Sequence, residues 1–232
     1  MKDKIYESIE NLYKIFSKYP LDLEIEGCPC CVHENHKRLL LSKSLRELEE
    51  NEIRRYAAKA MTTWGTEENY KHYLPRILEL SIQNKIGIGE HITFNKLDMI
   101  SWFGNEKKQI KQFLLNWWEF HLRESEYIDP CLIIEIINRI DNTEKLIGLW
   151  DLSTKDKSLK NFTDFIESGE FFGIKDRSSY YEDLDESSSI ILDKWINNGI
   201  EYLKKYISSE GLQNSYSKEI KEALNIYDLY NQ

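Results

Sequence analysis

Residues 53–80 read IRRYAAKAMTTWGTEENYKHYLPRILEL, and their pattern is the clearest indication of a helical architecture. Apolar residues recur in it every three or four positions, which is the period of an amphipathic helix. Gly65 follows Trp64 and is predicted to take the left-handed conformation that ends a helix. Thr66 and Glu67 then supply a side-chain oxygen and a negative charge for the start of the next helix. The stretch therefore predicts two helices joined at a tight corner.

The same kind of corner recurs at Gly104–Glu106 and Asn142–Glu144, at spacings of 39 and 38 residues. Each corner has a residue that tolerates the left-handed conformation, then Thr or Asn, then Glu. Paired helices that repeat about every 40 residues are typical of HEAT- and armadillo-like arrays. Coincidence is the alternative, because short capping patterns are common in helical proteins. We therefore predict an all-α fold of antiparallel helix pairs, with an α-solenoid as its finer form.

Further helices are expected on both sides of these corners. Proline suits the first turn of a helix, which favours helix starts at Pro75 and at Pro130. The predicted helices cover residues 3–18, 49–64, 75–83, 106–123, 130–140, 189–208 and 217–230. Residues 21–26 alternate between apolar and acidic and are a candidate strand. The predicted domains are 1–168, a helical-pair domain with an N-terminal Cys/His loop, and 169–232, an acidic helical extension packed on the same core.

Composition narrows the function classes. The 232 residues include 40 acidic and 31 basic side chains, for a net charge of −9. Binding to nucleic acid needs clustered Lys and Arg, so this balance argues against a nucleic-acid partner. The most apolar run, residues 131–137, is too short to span a membrane. The N-terminus has no signal-peptide pattern, and we expect a cytoplasmic protein without a membrane partner.

Most of the net charge lies in the last third, since residues 141–232 hold 18 acids and 11 bases. Aromatic residues anchor protein interfaces, and acidic groups help to select a basic partner. The predicted partner-binding residues are Tyr180, Tyr181, Glu182, Asp183, Asp185 and Glu186. The leading functional prediction is a non-enzymatic, protein-binding module that docks or neutralises a basic partner, as an immunity protein does. A solvated acidic loop is the simpler interpretation of the run.

Residues 28–36 read CPCCVHENH and are the strongest chemical signal. Cys28 and Cys31 have the C-x-x-C spacing with which two thiolates reach one zinc ion. The candidate metal ligands are Cys28, Cys30, Cys31, His33 and His36. A single short segment rarely supplies all the ligands, and the candidates elsewhere are His72, His91, His121 and Cys131. Thiol redox chemistry and simple burial of the cysteines are the alternatives. Zinc is thus the candidate cofactor of the alternative function, a metal-binding or thiol-redox protein.

Four blocks of the sequence resemble a widespread bacterial family of uncharacterised proteins. They are CPCC at 28–31, LREL at 45–48, YAAKAMTTWG at 56–65 and YLPRILEL at 73–80. The resemblance covers about residues 25–125 and implies a stand-alone, helical bacterial protein, but it transfers no activity.

The sequence also lacks a phosphate-binding loop, a nucleophile elbow and the H-E-x-x-H pattern of zinc peptidases. The absence of these catalytic motifs from the sequence favours a protein that is not an enzyme.

Overall fold

The computed structural model describes residues 2–154, 157–169, 171–176, 184–210 and 216–231. Within these ranges the chain is all-α, with twelve α-helices and no strand. This confirms the predicted fold class, and neighbouring helices do pack as pairs. The solenoid arrangement stays a prediction. In the described ranges, no helix combines the length and the apolar character that crossing a membrane requires.

The twelve α-helices follow one another along the described ranges. Their bounds are α1 (Lys2–Phe16), α2 (Glu34–Leu40), α3 (Glu50–Lys59), α4 (Glu67–Ile82), α5 (Glu90–Asp98), α6 (Glu106–Glu124), α7 (Pro130–Ile137), α8 (Thr143–Gly148), α9 (Lys157–Glu167), α10 (Phe171–Asp176), α11 (Glu186–Glu210) and α12 (Tyr216–Tyr230). Five predicted helices therefore correspond closely to α1, α6, α7, α11 and α12. Residues 21–26 are not a strand, which corrects that expectation.

The prediction that a helix begins at Pro75 is wrong. The proline lies in the middle of α4, which begins at Glu67. A proline at this position cannot donate to the carbonyl of Lys71, which costs helix stability. Helix α4 nevertheless contacts both α1 and α3 and buries eleven of its residues. Burial on several sides therefore outweighs the local cost of the proline.

The chain forms two compact units, residues 1–116 and residues 117–232. In the first unit α4 packs against α1 and α3, and α3 also contacts α2 and α5. In the second unit α9 packs against α12, while α11 contacts α8, α10 and α12. The domain boundary predicted between residues 168 and 169 stays a prediction.

The second unit is organised around Trp150. Its ring centroid lies 5.4 Å from that of Trp118 and 4.9 Å from that of Trp195. Its indole N–H donates to the carbonyl of Ser158 over 2.9 Å, so the polar atom of this buried ring is paired. On α11, a β-carbon at Gly199 would collide with the ring of Phe162 on α9. Only glycine therefore allows α11 to approach α9 so closely.

At the first two corners the glycines are left-handed as predicted, but the prediction that they end the preceding helices is wrong, because α3 ends at Lys59 and α5 at Asp98. Gly65 and Gly104 both have positive φ, +72° and +55°. At the first corner, the Thr66 hydroxyl accepts a hydrogen bond of 3.3 Å from the backbone N–H of Asn69. Thr66 is thus the N-cap of α4. The pairing of a left-handed glycine with a capping residue is what turns the chain between helices here.

The third corner is built differently, and the prediction of a left-handed residue there is wrong. Asn142 has φ −147° and ψ 90°, which is extended backbone. Its side-chain oxygen accepts from the backbone N–H of Lys145 over 2.8 Å, so Asn142 is itself the N-cap of α8. Asparagine is suited to both roles, and the sequence pattern alone does not separate them.

The glutamates of the first two corners converge on one buried lysine. The Nζ atom of Lys71 lies 3.0 Å from the carboxylate of Glu67 and 3.1 Å from that of Glu106. The side chains of Lys71 and Glu106 are each only 1% exposed. Lys71 also donates to the carbonyl of Ser101 over 2.6 Å. The ammonium group is therefore paired and hydrogen-bonded, as a buried charge must be.

Glu106 is saturated with donors in the same way. One carboxylate oxygen accepts from Lys18 and from the Tyr19 hydroxyl, each over 2.6 Å. The other accepts from the backbone N–H of Phe103 over 3.1 Å. Burial on its own raises the pKa of the Glu106 carboxyl, but these donors and Lys71 outweigh it and lower the pKa to about 2. The cluster thus joins the segment that follows α1, helix α4 and the start of α6.

Replacing Gly65 by alanine should destabilise the first unit by about 2 kcal/mol, because an L-residue in the left-handed region is strained. A β-carbon there would also lie 3.0 Å from the Asn69 side-chain oxygen and 3.1 Å from Ile25. At Gly104 the φ is also positive, but no atom lies within 4 Å of that β-carbon. Gly104→Ala should therefore cost only about 1 kcal/mol. Urea denaturation of both variants measures the difference, and equal losses would contradict this packing argument.

Candidate metal site

The cysteine segment, residues 28–36, begins against the corner between α3 and α4. Gly27 forms an isolated backbone bridge with Trp64. The N–H of Cys28 donates to the carbonyl of Thr63 over 2.8 Å, and the N–H of Gly65 donates to the carbonyl of Glu26 over 2.7 Å. The corner that joins two helices therefore also anchors the cysteine segment.

Residues 28–32 form a tight turn. The N–H groups of Cys31 and Val32 both donate to the carbonyl of Cys28, each over 2.9 Å. Val32 is buried, and a β-carbon at Gly27 would lie 2.8 Å from its side chain. On the other side, Arg55 of α3 donates to the carbonyl of Cys31 over 2.7 Å. The backbone of the turn is thus fixed at both ends.

Three thiols converge on this turn. The sulfur of Cys30 lies 2.8 Å from that of Cys28 and 3.5 Å from that of Cys31. All three Sγ atoms lie within 4.8 Å of one another. Cys30 is exposed, and the other two are half-buried. In a tetrahedral site with Zn–S bonds of about 2.3 Å, two sulfurs lie about 3.8 Å apart. Small side-chain adjustments would let one ion contact all three.

The thiols also change each other's acidity. The hydrogen bond from Cys30 lowers the pKa of Cys28. The bonds with Cys28 and Cys31 raise the pKa of Cys30 to about 11. Cys28 is therefore the more acidic of these two thiols. A metal ion binds thiolates, so its binding would replace this shared arrangement and release protons.

The two histidines of the segment begin α2. His33 is its N-cap, and the backbone N–H of His33 donates to Nδ1 of His36 over 3.1 Å. Neither ring joins the group formed by the three sulfurs. A neutral imidazole that accepts at Nδ1 carries its proton on Nε2, so Nε2 of His36 has no lone pair for a metal in this arrangement. Metal ligation by His33 and His36 stays a prediction from the sequence, whereas the geometry of His36 favours the cysteines without it.

This arrangement predicts that His36→Ala leaves metal binding nearly intact. The dissociation constant should change by less than about tenfold, the low end of what loss of an outer partner costs. The free energy of unfolding should fall by about 0.5–1 kcal/mol, because the start of α2 loses an acceptor. Zinc competition titration and urea denaturation measure the two effects. A loss of binding in this variant would instead identify His36 as a ligand.

The more distant candidate ligands lie in other environments. Nδ1 of His72 lies 2.9 Å from the carbonyl of Tyr19, and Nδ1 of His121 lies 2.7 Å from the hydroxyl of Ser125. Burial lowers the pKa of His121 to about 4. The side chain of Cys131 lies outside the described part of the chain. Among described residues, the three N-terminal cysteines form the one group of three or more potential metal ligands.

Only part of the predicted partner-binding surface can be located. Tyr180, Tyr181, Glu182 and Asp183 lie outside the described residues. Asp185 precedes α11 and accepts from the N–H of Ser188 over 3.0 Å and from its hydroxyl over 2.7 Å. Bonds from Ser187 and Ser188 lower the pKa of Asp185 to about 2. Asp185, with Glu186 in the first turn of α11, suits the positive end of that helix. Binding of a basic partner by this run stays a prediction.

The fold and the site define an all-α protein with a surface group of three converging thiols. Comparisons with known proteins place it no further: no family model, no curated protein and no solved structure matches the chain.

Proposed function

We propose that this protein binds a soft metal ion, zinc in the first instance, through Cys28, Cys30 and Cys31. The convergence of the three Sγ atoms within 4.8 Å of one another carries this proposal. Thiolate ligands favour zinc and copper(I) over the harder magnesium and calcium ions. Because hydrogen bonds already fix the backbone of the turn, little further ordering of the chain is needed to bind the ion.

The surroundings of the turn support the proposal electrostatically. Three thiolates around a divalent ion leave a net charge of −1, which a nearby cation stabilises. Arg55 donates to the carbonyl of Cys31, so its guanidinium is fixed at the edge of the turn. Burial and the charge of Arg55 together lower the pKa of His36, which keeps that ring neutral beside the site. Arg55 therefore supplies the balancing positive charge.

The three sulfurs would hold the ion, and the ion would in turn join both ends of the turn. Three protein ligands occupy three positions of a tetrahedral ion and leave the fourth for another ligand. Since Cys28 is bonded to Thr63 at the helix corner, metal binding would also stabilise the junction of α3 and α4. Structural zinc contributes its binding energy to folding in this way.

Cobalt(II) titration of the reduced protein tests the proposal. Thiolate-to-cobalt charge-transfer absorption should appear and saturate at one equivalent, and its intensity should correspond to three thiolates. Cys131→Ser is the matched control for loss of one thiol elsewhere in the sequence and should keep this absorption. An absence of charge-transfer absorption in the wild-type protein would refute the proposal.

A further inference from the structure

We infer that Cys28 and Cys30 form a reversible redox pair whose oxidation to a disulfide removes two of the three metal ligands. The disulfide half of this inference stands on the thiol geometry alone, and the metal half rests on the proposed function. The oxidant class is a hydroperoxide, and a thiol reductant reverses the step. Metal binding would then be controlled by the redox state of the same three sulfurs.

The structure selects a different pair from the one that sequence spacing indicates. The C-x-x-C pattern pairs Cys28 with Cys31, but the close sulfur–sulfur contact of Cys28, at 2.8 Å, is with Cys30. Cys30 is also the exposed member of the group, so a dissolved oxidant reaches it directly. The pair that is both in contact and accessible is therefore Cys28 and Cys30.

The competing pair is Cys30 and Cys31, whose sulfurs lie 3.5 Å apart. A disulfide between adjacent residues closes a small ring that contains their peptide bond. Because that bond strongly resists departure from its planar trans form, such a ring is strained. A disulfide from Cys28 to Cys30 has one further residue in its ring and starts from the shorter sulfur–sulfur distance. The ring size and the sulfur–sulfur distance both favour the disulfide between Cys28 and Cys30.

The proposed reaction balances as follows. One thiolate attacks a peroxide oxygen and becomes a sulfenic acid, while the other oxygen leaves as water after protonation. The second thiolate attacks the sulfenic sulfur, forms the S–S bond and displaces hydroxide, which becomes water. Two sulfurs are oxidised by one electron each, and one hydrogen peroxide is reduced to two waters. If a divalent ion was bound, it leaves, and the Cys31 thiolate takes up a proton.

Oxidation should not unfold the turn. The hydrogen bonds that fix it are backbone bonds from Cys28 to Thr63 and from Cys31 and Val32 to Cys28. None of them uses a sulfur atom, so they can persist when two sulfurs join. The oxidised protein would therefore keep its fold and lose its ligands, which is the property a reversible switch needs.

Treatment of the full-length protein with hydrogen peroxide, followed by alkylation and mass spectrometry, tests the redox pair. The experiment uses a Cys131→Ser background, so that only the three clustered thiols react. The expected product has lost two hydrogen atoms and carries one alkyl group, on Cys31. Dithiothreitol should restore three alkylation sites.

Single serine variants in the same background identify the pair. Cys31→Ser should still lose two hydrogen atoms at a rate close to that of its parent. Cys28→Ser and Cys30→Ser should form an intramolecular disulfide at least about tenfold more slowly, since each lacks one attacking thiol. Rapid disulfide formation in Cys28→Ser, or none in Cys31→Ser, would overturn the inference.

Release of the ion is measured separately with zinc-loaded protein and a colorimetric zinc indicator. Zinc should appear in step with the loss of two thiols, and return to the protein on reduction. Retention of zinc by protein that contains the Cys28–Cys30 disulfide would overturn the metal half of the inference. Formation of that disulfide in a protein that binds no zinc would uphold the redox pair and refute the proposed function.

Discussion

Glu106→Gln should lower the free energy of unfolding by about 3–5 kcal/mol, the usual cost of removing one partner from a buried ion pair. The variant would leave the ammonium of Lys71, which is 1% exposed, with Glu67 as its remaining carboxylate partner. It would also replace a charged acceptor of bonds from Lys18 and Tyr19 by a neutral amide. The loss therefore combines a buried ammonium group with one carboxylate partner in place of two and weakened hydrogen bonds.

Urea denaturation followed by far-ultraviolet circular dichroism measures this effect. Glu201→Gln is the matched control, because Glu201 is 62% exposed and pairs with an exposed Lys204 over 3.2 Å. That variant should change stability by less than about 0.5 kcal/mol. The double variant Lys71→Met/Glu106→Leu should be more stable than Glu106→Gln, because the charges that lose a partner, Lys18 and Glu67, are not buried. Equal stability of Glu106→Gln and wild type would show that the buried pair contributes little.

The same carboxylate gives the first unit a defined sensitivity to acid. The pKa of Glu106 is lowered to about 2 in the folded protein, below its value in the unfolded chain. A lowered pKa contributes stability at neutral pH that disappears as the carboxylate is protonated. Stability should therefore fall as the pH drops from about 5 to about 2. In Glu106→Gln this part of the acid dependence should be absent, and an unchanged pH profile would contradict the assignment.

Cys30→Ser should weaken zinc binding by more than about 100-fold, because loss of a direct ligand costs more than loss of an outer partner. Cys30 is the central sulfur of the group, with one neighbour at 2.8 Å and the other at 3.5 Å. Serine is close in size but its hydroxyl is a poor zinc ligand at neutral pH. Competition with a fluorescent zinc chelator measures the dissociation constant.

The control for this prediction is again Cys131→Ser, for which we expect an affinity close to that of the wild type. Far-ultraviolet circular dichroism checks that Cys30→Ser keeps its helices, as expected for an exposed side chain. A folded Cys30→Ser protein that binds zinc as tightly as wild type would show that the ion, if bound, lies elsewhere.

Local rules of the chain account for much of the fold. The start of α4 was predictable because Gly65 and Thr66 act on their immediate neighbours, whereas the end of α3 at Lys59 was not. The interior position of Pro75 was not, because the burial that compensates it comes from α1 and α3. Likewise Lys71 and Glu106 are 35 residues apart in sequence, and no local pattern indicates that they meet.

At the candidate site, too, some features follow from the local sequence and others depend on contacts between distant segments. The sequence indicates a group of three thiols, because three of residues 28–31 are cysteines. It did not show that the sulfur of Cys30 contacts that of Cys28, because that depends on how the turn folds back on the carbonyl of Cys28. The hydrogen bond between Thr63 and Cys28 was equally inaccessible, since it joins segments 35 residues apart.

Metal content is the most direct test of the central claim that three thiols form a metal site. The protein is purified under reducing conditions, loaded with zinc, passed over a desalting column and measured by elemental analysis. The wild type should retain about one equivalent of zinc, and a Cys28→Ser/Cys30→Ser/Cys31→Ser variant almost none. Less than about 0.2 equivalents in the wild type, or equal zinc in both proteins, would contradict the claim.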